Sequence, residues 1–378
     1  MDLEFFRSSL ADIVSHSLVA PDRVLRCVII ANRLAGGFTI RRRWKEHAAV
    51  LQRYRKEIAG NPLRPLAGAC ELMLTGDKGS GRKITEDLIA QTAADPSSFC
   101  LIITAGGDGT SLEVLSAMYD APAHVRTNMG ILRLPMGTGN DGADSRTLSG
   151  ALDLLAGQAQ PDQLAGQDQW PGQARPARIF FAPALCLKTS PSGPAYGKGP
   201  FLAFNILSMG LDAFVTGMTN KMKGKLPGDT YKLWVDIASL FYDRLYRVDY
   251  LDVRALDEHG REVCSLHEKL LLVAMGASGY RTYGAGNLIL PDDRNVCAIK
   301  EMSILGKLAL KKLVALGRHD GQDGVFLFSG HRLEITCRQP ILAQMDGETI
   351  LLQPEDFPAV IELTSPVIPL LKPAGPVQ

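Results

Sequence analysis

The chain has 378 residues, 46% of them hydrophobic and 21% charged, with a formal net charge of +1. That length holds two ordinary domains with sizeable cores, and the composition excludes disorder. The near-zero charge excludes a global field for nucleic acid or an acidic surface, so any attraction to an anion has to be local. Cys27, Cys70, Cys100, Cys186, Cys264, Cys297 and Cys337 form no C-x-x-C pair, and the seven histidines show no H-x-x-x-H spacing. Dispersed thiols of odd count suit a reducing compartment better than a disulfide framework or a zinc site.

The N-terminal stretch carries Asp2, Glu4 and Asp12 and lacks a basic start followed by an apolar run, so it does not read as a signal peptide. No apolar run reaches the roughly 18 residues that span a bilayer. The expectation is a soluble, cytoplasmic protein with no transmembrane segment and no nucleic-acid partner.

In the first half, short apolar runs alternate with helical patterns, the signal of a parallel sheet wrapped by helices. Strands are expected at 24–31, 70–75, 100–105 and 130–134, with helices at 42–58, 84–94 and 111–120. Each strand runs into a glycine-bearing turn: Gly36-Gly37, Gly76 to Gly81, Gly106 to Gly109, and Gly137 to Gly142. Ligands of open α/β sheets sit at the carboxyl ends of strands, where these turns fall. Residues 157–176, rich in Gln, Gly, Ala and Pro, read as a linker or long surface loop.

From Arg178 the pattern turns β-rich, with strands expected at 178–188, 201–208, 248–255, 269–276, 324–328, 331–337 and 359–364. A helix at 230–246 would align Leu233, Ile237, Leu240, Phe241 and Leu245. A second at 305–316 would carry Lys307, Lys311 and Lys312 on its polar side.

The strongest local signal is Gly106-Gly107-Asp108-Gly109-Thr110, where an apolar strand meets glycines and an aspartate just before a helix. Glycines let backbone approach an anion, and the helix start offers unpaired N–H groups to phosphate. A carboxylate among phosphates is repelled unless a cation lies between them, so Asp108 suggests Mg2+. A plain strand–helix turn capped by Asp108 is the alternative.

Pro135-Met136-Gly137-Thr138-Gly139-Asn140-Asp141-Gly142 contains a literal G-x-G-x-x-G, yet it follows the fourth strand rather than opening the first βαβ unit. A second phosphate- or ribose-contacting turn fits better than a dinucleotide fingerprint. The loop 75–83 mimics a Walker A motif, but Gly81 precedes Arg82-Lys83 and no hydroxyl is placed for Mg2+. Asp346-Gly347-Glu348 reads as a tight hairpin turn or as the carboxylate that phosphoryl transfer to an alcohol requires.

In this order the pieces resemble the diacylglycerol kinase catalytic-domain family, which includes bacterial lipid kinases and sphingosine and ceramide kinases. They are Asn32 with Gly36-Gly37, Thr75, GGDGT at 106–110 with Glu113, and PMGTGND at 135–141. FNILSMGLDA at 204–213, YGAGNLILP at 283–291 and DGE at 346–348 follow.

The resemblance implies an α/β N-terminal domain with an open, mostly parallel sheet, and a larger β-rich C-terminal domain. The boundaries expected are 1–150 for nucleotide binding, 151–360 for the lipid substrate, and a tail at 361–378 able to return to the first domain. It implies ATP and Mg2+ as cofactors, with ATP in the cleft between the domains. Contacts would come from Asn32, Thr75, Gly106, Gly107, Asp108, Gly109, Thr110, Ser111, Leu112, Gly137, Thr138, Gly139, Asn140 and Asp141. Asp346 would be the general base, Glu348 its support or the metal's, and Asp108 would act through the metal. Asn205, Gly210 and Asp212 would shape the second domain's side.

Leu112 stands where the family often has Asn, Met275-Gly276 where it usually has Asn-Gly, and Asn32 lacks the usual following proline. Residues 291–297 do not reproduce the loop that holds a structural Mg2+ in some bacterial members, so that metal is not expected. NAD kinase shares GGDGT but not PMGTGND or DGE, and a catalytically silent lipid- or nucleotide-binding regulator is the other alternative. A lipid kinase implies peripheral contact with a membrane, for which Lys221, Lys223 and Lys225 beside Trp234, Phe241 and Tyr242 are candidates if they are not simply a solvated loop. Arg41, Arg42, Arg43 and Lys45 read as a solvated face able to reach phosphates. A homodimer is compatible with the sequence.

Overall fold

The computed structural model describes residues 2–58, 70–137, 140–156, 177–222, Tyr242, 248–283 and 287–373. The linker expected at 157–176, the helix expected at 230–246 apart from Tyr242, Lys223 and Lys225, and Thr138 and Gly139 lie outside the described residues. The chain divides into two units, Met1–Ala182 with Pro366–Gln378, and Pro183–Ser365.

The first unit begins with α1 (Leu3–Val14), capped by the Asp2 side chain, which accepts from Phe5 N at 2.9 Å. Phe6, Leu10, Ile13 and Val14 recur at helical spacing and are fully buried. The chain continues through β1 (Val24–Ala31), α2 (Gly36–Thr39), α3 (Arg41–Ile58), β2 (Glu71–Leu74), α4 (Ser80–Ala94) and β3 (Ser98–Gly106). Then come α5 (Asp108–Asp120), α6 (Ala123–Arg126), β4 (Met129–Pro135), α7 (Leu148–Ala156) and β5 (Ala177–Ala182). All nine residues of β3 are buried, as befits a central parallel strand covered on both faces.

The sheet order is β2-β1-β3-β4, then the C-terminal strand Ile368–Pro373, then β5. β2, β1, β3, β4 and the C-terminal strand run parallel, and β5 pairs antiparallel at the edge. The C-terminal segment therefore adds a strand to this sheet. The strand expected at 178–188 is two strands: β5 in this unit, and β6 (Leu185–Lys188) in the second. Continuous apolar sequence hid the change of sheet.

The second unit continues with β7 (Phe201–Ala203), β8 (Ile206–Gly210), α8 (Leu211–Met222), β9 (Tyr250–Leu256) and β10 (Glu262–Gly276). Next are β11 (Arg281–Tyr283), β12 (Asn287–Leu290), β13 (Val296–Lys300), α9 (Ile304–Ala315) and β14 (Val325–Phe328). It closes with β15 (Arg332–Cys337), β16 (Ile341–Met345), β17 (Glu348–Leu352) and β18 (Ala359–Leu363). Among the described residues β11 and β12 pair with each other, and the other strands form an 11-stranded sheet of order β17-β16-β8-β10-β9-β15-β18-β6-β7, with β13 beside β10 and β14 beside β13. Leu251 and Val253 of β9 are buried between exposed neighbours, the period of a sheet with one dry face. β10 changes character along its length: its first half pairs β9 with alternating exposed and half-buried side chains, and its buried second half pairs β8 and β13.

Lys307 was expected on the polar side of its helix, but it is only 7% exposed, on the same side of α9 as buried Leu310. Lys311 and Lys312 are exposed as expected, so sequence periodicity located the helix and misplaced Lys307 alone. Among the described residues, no helix is long and apolar enough to cross a membrane.

Candidate active site

In the first unit, four loops leave the carboxyl ends of β1, β2, β3 and β4, and backbone hydrogen bonds tie them together. Asn32 N donates to Ala105 O at 3.0 Å, fixing the start of the loop after β1 to the end of β3. Thr75 N donates to Ala31 O at 2.9 Å, and Gly37 N to Met136 O at 2.8 Å. A Cβ on Gly106 would lie 2.4 Å from Thr110 Oγ1, and one on Gly137 would lie 2.6 Å from Gly107 Cα. Only glycine lets the loops after β3 and β4 come this close.

Gly107 precedes α5 without a side-chain cap, and Asp108 opens the helix. Asp108 Oδ1 accepts from Gly142 N at 3.1 Å and holds the turn after β4. A Cβ on Gly109, in the first turn of α5, would meet nothing within 4 Å, and a helix start favours an anion. Ser111 Oγ lies 3.3 Å from Thr104 Oγ1, and Leu112 is half-buried. Glu113, one turn further along, accepts from Gly79 N at 2.7 Å and Gly81 N at 2.9 Å. The Walker-like loop is thus tied by its amides to α5.

The turn after β4 is also clamped from beneath. Arg133 and Asp144 have side chains 2% and 0% exposed and pair at 2.8 Å, and Lys372 of the C-terminal strand reaches Asp144 at 3.0 Å. Burial alone would raise the Asp144 carboxyl, but Arg133 and Lys372 outweigh it and bring it down to about 2. Asn140 adopts φ +59° and its Nδ2 donates to Pro135 O at 3.1 Å. Arg43 of α3 donates to Gly137 O at 3.0 Å, so one arginine of that basic run reaches the loop, while Arg42 pairs with Glu46 at 3.0 Å.

In the second unit, Asp346 and Gly347 are the two residues between paired Met345 and Glu348, with φ +46° and +97°. That is the hairpin geometry an Asp-Gly pair serves. The Asp346 carboxylate also accepts three amides of the segment between β7 and β8: Phe204 N at 2.5 Å, Asn205 N at 3.1 Å and Ile206 N at 2.9 Å. Buried Gln344 accepts from Gly347 N at 2.9 Å and donates to Ser208 Oγ at 3.0 Å; Ser208 in turn bonds Asp212 at the start of α8. Arg281 Nη1 reaches Asn205 Oδ1 at 3.3 Å. Glu348 is exposed. FNILSMGLDA and DGE, far apart in sequence, form one polar cluster.

Met275 is fully buried in the core of the second unit, level with Leu207 of β8. In the 291–297 loop, Arg294 bridges Asp292 and Asp320, with Nη2 2.7 Å from Asp320. Hydrogen bonds from Arg294 hold both carboxyls below their usual range. For Mg2+ near Asp108 the donor set is one carboxylate beside a phosphate-favouring helix start, which fits an ion completed by phosphate oxygens and water. Among the described residues, no group of three or more His, Cys, Asp or Glu stands ready to hold a metal alone.

Residues 26–163 match the diacylglycerol kinase catalytic domain. The chain is 24% identical to the probable lipid kinase YegS-like of Pectobacterium atrosepticum over 78% of its own length and 85% of that protein's. It is also 24% identical to the protein of the same name from Yersinia pestis, over 73% of this chain and 79% of that one. Two Bacillus anthracis structures whose names assign them to the diacylglycerol kinases share the fold. One is 16% identical, with TM-score 0.53 and coverage of 93% and 95%; the other is 13% identical, with TM-score 0.50 and coverage of 93% and 97%.

Proposed function

The chain resembles the diacylglycerol kinase catalytic-domain family, and on that premise we propose that it transfers the γ-phosphoryl group of ATP to a lipid hydroxyl. The observation that carries this reading is the loop cluster of the first unit. The start of α5, the close-packed Gly107 and Gly137, and Asp108 offer amides and one carboxylate together. Amides bind the phosphates, and a carboxylate among them is useful only through a cation. Asn32, Thr75, the run Gly106–Leu112 and Gly137–Asp141 are the proposed nucleotide contacts, and Asp108 the proposed Mg2+ ligand. Bound Mg2+ would neutralise charge developing on the transferred group.

Asp346 is the proposed base. It takes the proton of the acceptor hydroxyl as that oxygen attacks the γ-phosphorus, the bond to the β-phosphate oxygen breaks, and ADP leaves. Three amide donors to a carboxylate with about four acceptor sites fix its aim. Glu348, on the same turn, is proposed to support it.

Incubation with magnesium-ATP and a total lipid extract, followed by mass analysis, should yield lipids heavier by one phosphate. Phosphorylation of NAD with no gain in any lipid would overturn the choice of acceptor.

A further inference from the structure

α9 turns apolar side chains to solvent. Leu305, Leu308 and Leu316 are 78%, 43% and 65% exposed, whereas Lys307 is 7% exposed. Leu305, Leu308, Lys312 and Leu316 recur at i, i+3, i+7 and i+11, which sets them on one side of the helix. Leu310 is buried and Val314 packs against the same cluster, so the core holds the helix by another face. A single exposed leucine is ordinary, but three in one stripe mark a contact surface.

Charge decides what the stripe contacts. Residues 304–318 contain Lys307, Lys311, Lys312 and Arg318 and no Asp or Glu. A second copy packed on this face would set Lys312 against like charges, which disfavours that pairing. An anionic bilayer accepts both features: leucines enter the acyl boundary while the lysine stem lies along it with its ammonium among lipid phosphates.

We propose that the exposed face of α9 docks this protein on anionic phospholipid membranes. The choice of a bilayer as partner rests on the lipid-kinase reading, and the docking itself needs no nucleotide. The full chain without ATP is floated with vesicles of about three parts phosphatidylcholine to one part phosphatidylglycerol. Expected are binding to these vesicles, weaker binding to pure phosphatidylcholine, and release by salt.

The Leu305→Ser/Leu316→Ser variant should partition at least about tenfold less, having lost two apolar anchors. Lys312→Glu should weaken binding to the anionic vesicles alone. Both variants alter exposed positions, so their melting temperatures and their phosphorylation of detergent-dispersed lipid should match wild type. That activity arm separates a failure of docking from a failure of the kinase reading. Wild-type protein that stays with the soluble fraction, or a double-serine variant that floats as wild type does, would overturn the proposal. So would a double-serine variant that turns a dimer into a monomer by light scattering without changing flotation.

Discussion

Asp108 and Asp346 are the same residue type in opposite situations. Asp108 opens a helix and accepts from Gly142 N at 3.1 Å. Asp346 sits in a left-handed hairpin turn and receives three amides, from Phe204, Asn205 and Ile206. A helix start beside a carboxylate is the arrangement proposed to take a phosphate and its cation. In the second unit three amides aim one carboxylate. Binding sites keep their donors open, whereas a group that must meet one proton in one direction is locked in place.

The sharpest way to break the contrast is to remove charge from each aspartate. Asp346→Asn should lower kcat by about 10²–10⁴-fold, the range for a positioned base. It should also cost about 1–3 kcal/mol of stability, because an amide NH2 turned toward the Phe204–Ile206 donors leaves buried N–H groups unmet. Asp108→Asn should also cut turnover, yet its melting temperature should stay near wild type, since an amide oxygen still accepts from Gly142. Paired kinetics and thermal melts check this. Equal melting temperatures for the two variants would show that the amide cage around Asp346 is not what the distances imply.

Next in size is Arg133→Met. It strands Asp144, whose side chain is 0% exposed, with Lys372 as its remaining ion-pair partner. Breaking a buried pair from one side costs about 3–5 kcal/mol, read as a fall in the chemical-denaturation midpoint. A change below 1 kcal/mol, on the order of a surface pair, would mean that the clamp is not closed in solution.

The sequence made the phosphate side far more legible than its supports. GGDGT at the end of an apolar run gave the strand, the turn and the helix start, because all three depend on neighbours within one turn of chain. Asp346 was readable as a hairpin and as a base, but not as the acceptor for residues 140–142 positions away. No local period records such pairing. Arg133 reads as an outward residue in an otherwise apolar strand; its partners lie beyond a glycine loop and in the last strand. α1 is legible in the helical spacing of Phe6, Leu10, Ile13 and Val14, a signal that a test for a targeting segment does not use. The spacing at 305–316 gave a helix, but a lysine among leucines looked like the polar face when it belongs inside.

The smallest expected effect concerns the same buried pair and acid. The Asp144 carboxyl, ordinarily near 3.8, is held at about 2 in the folded protein. A lowered folded value means the stabilisation is complete above pH 3.8 and fades as pH falls toward 2. Those two values correspond to about 2 kcal/mol. Other carboxylates titrate in the same interval, among them Asp292 and Asp320 beside Arg294, so the wild-type profile alone cannot isolate this one. The Arg133→Met/Asp144→Leu variant removes the titrating pair while keeping apolar volume, a replacement that is often neutral or stabilising. Between pH 4 and 2 wild type should lose about 2 kcal/mol more than this variant, measured by urea midpoints at each pH. Parallel profiles would mean that Asp144 is not held ionised by Arg133 and Lys372, and that the turn after β4 has some other anchor.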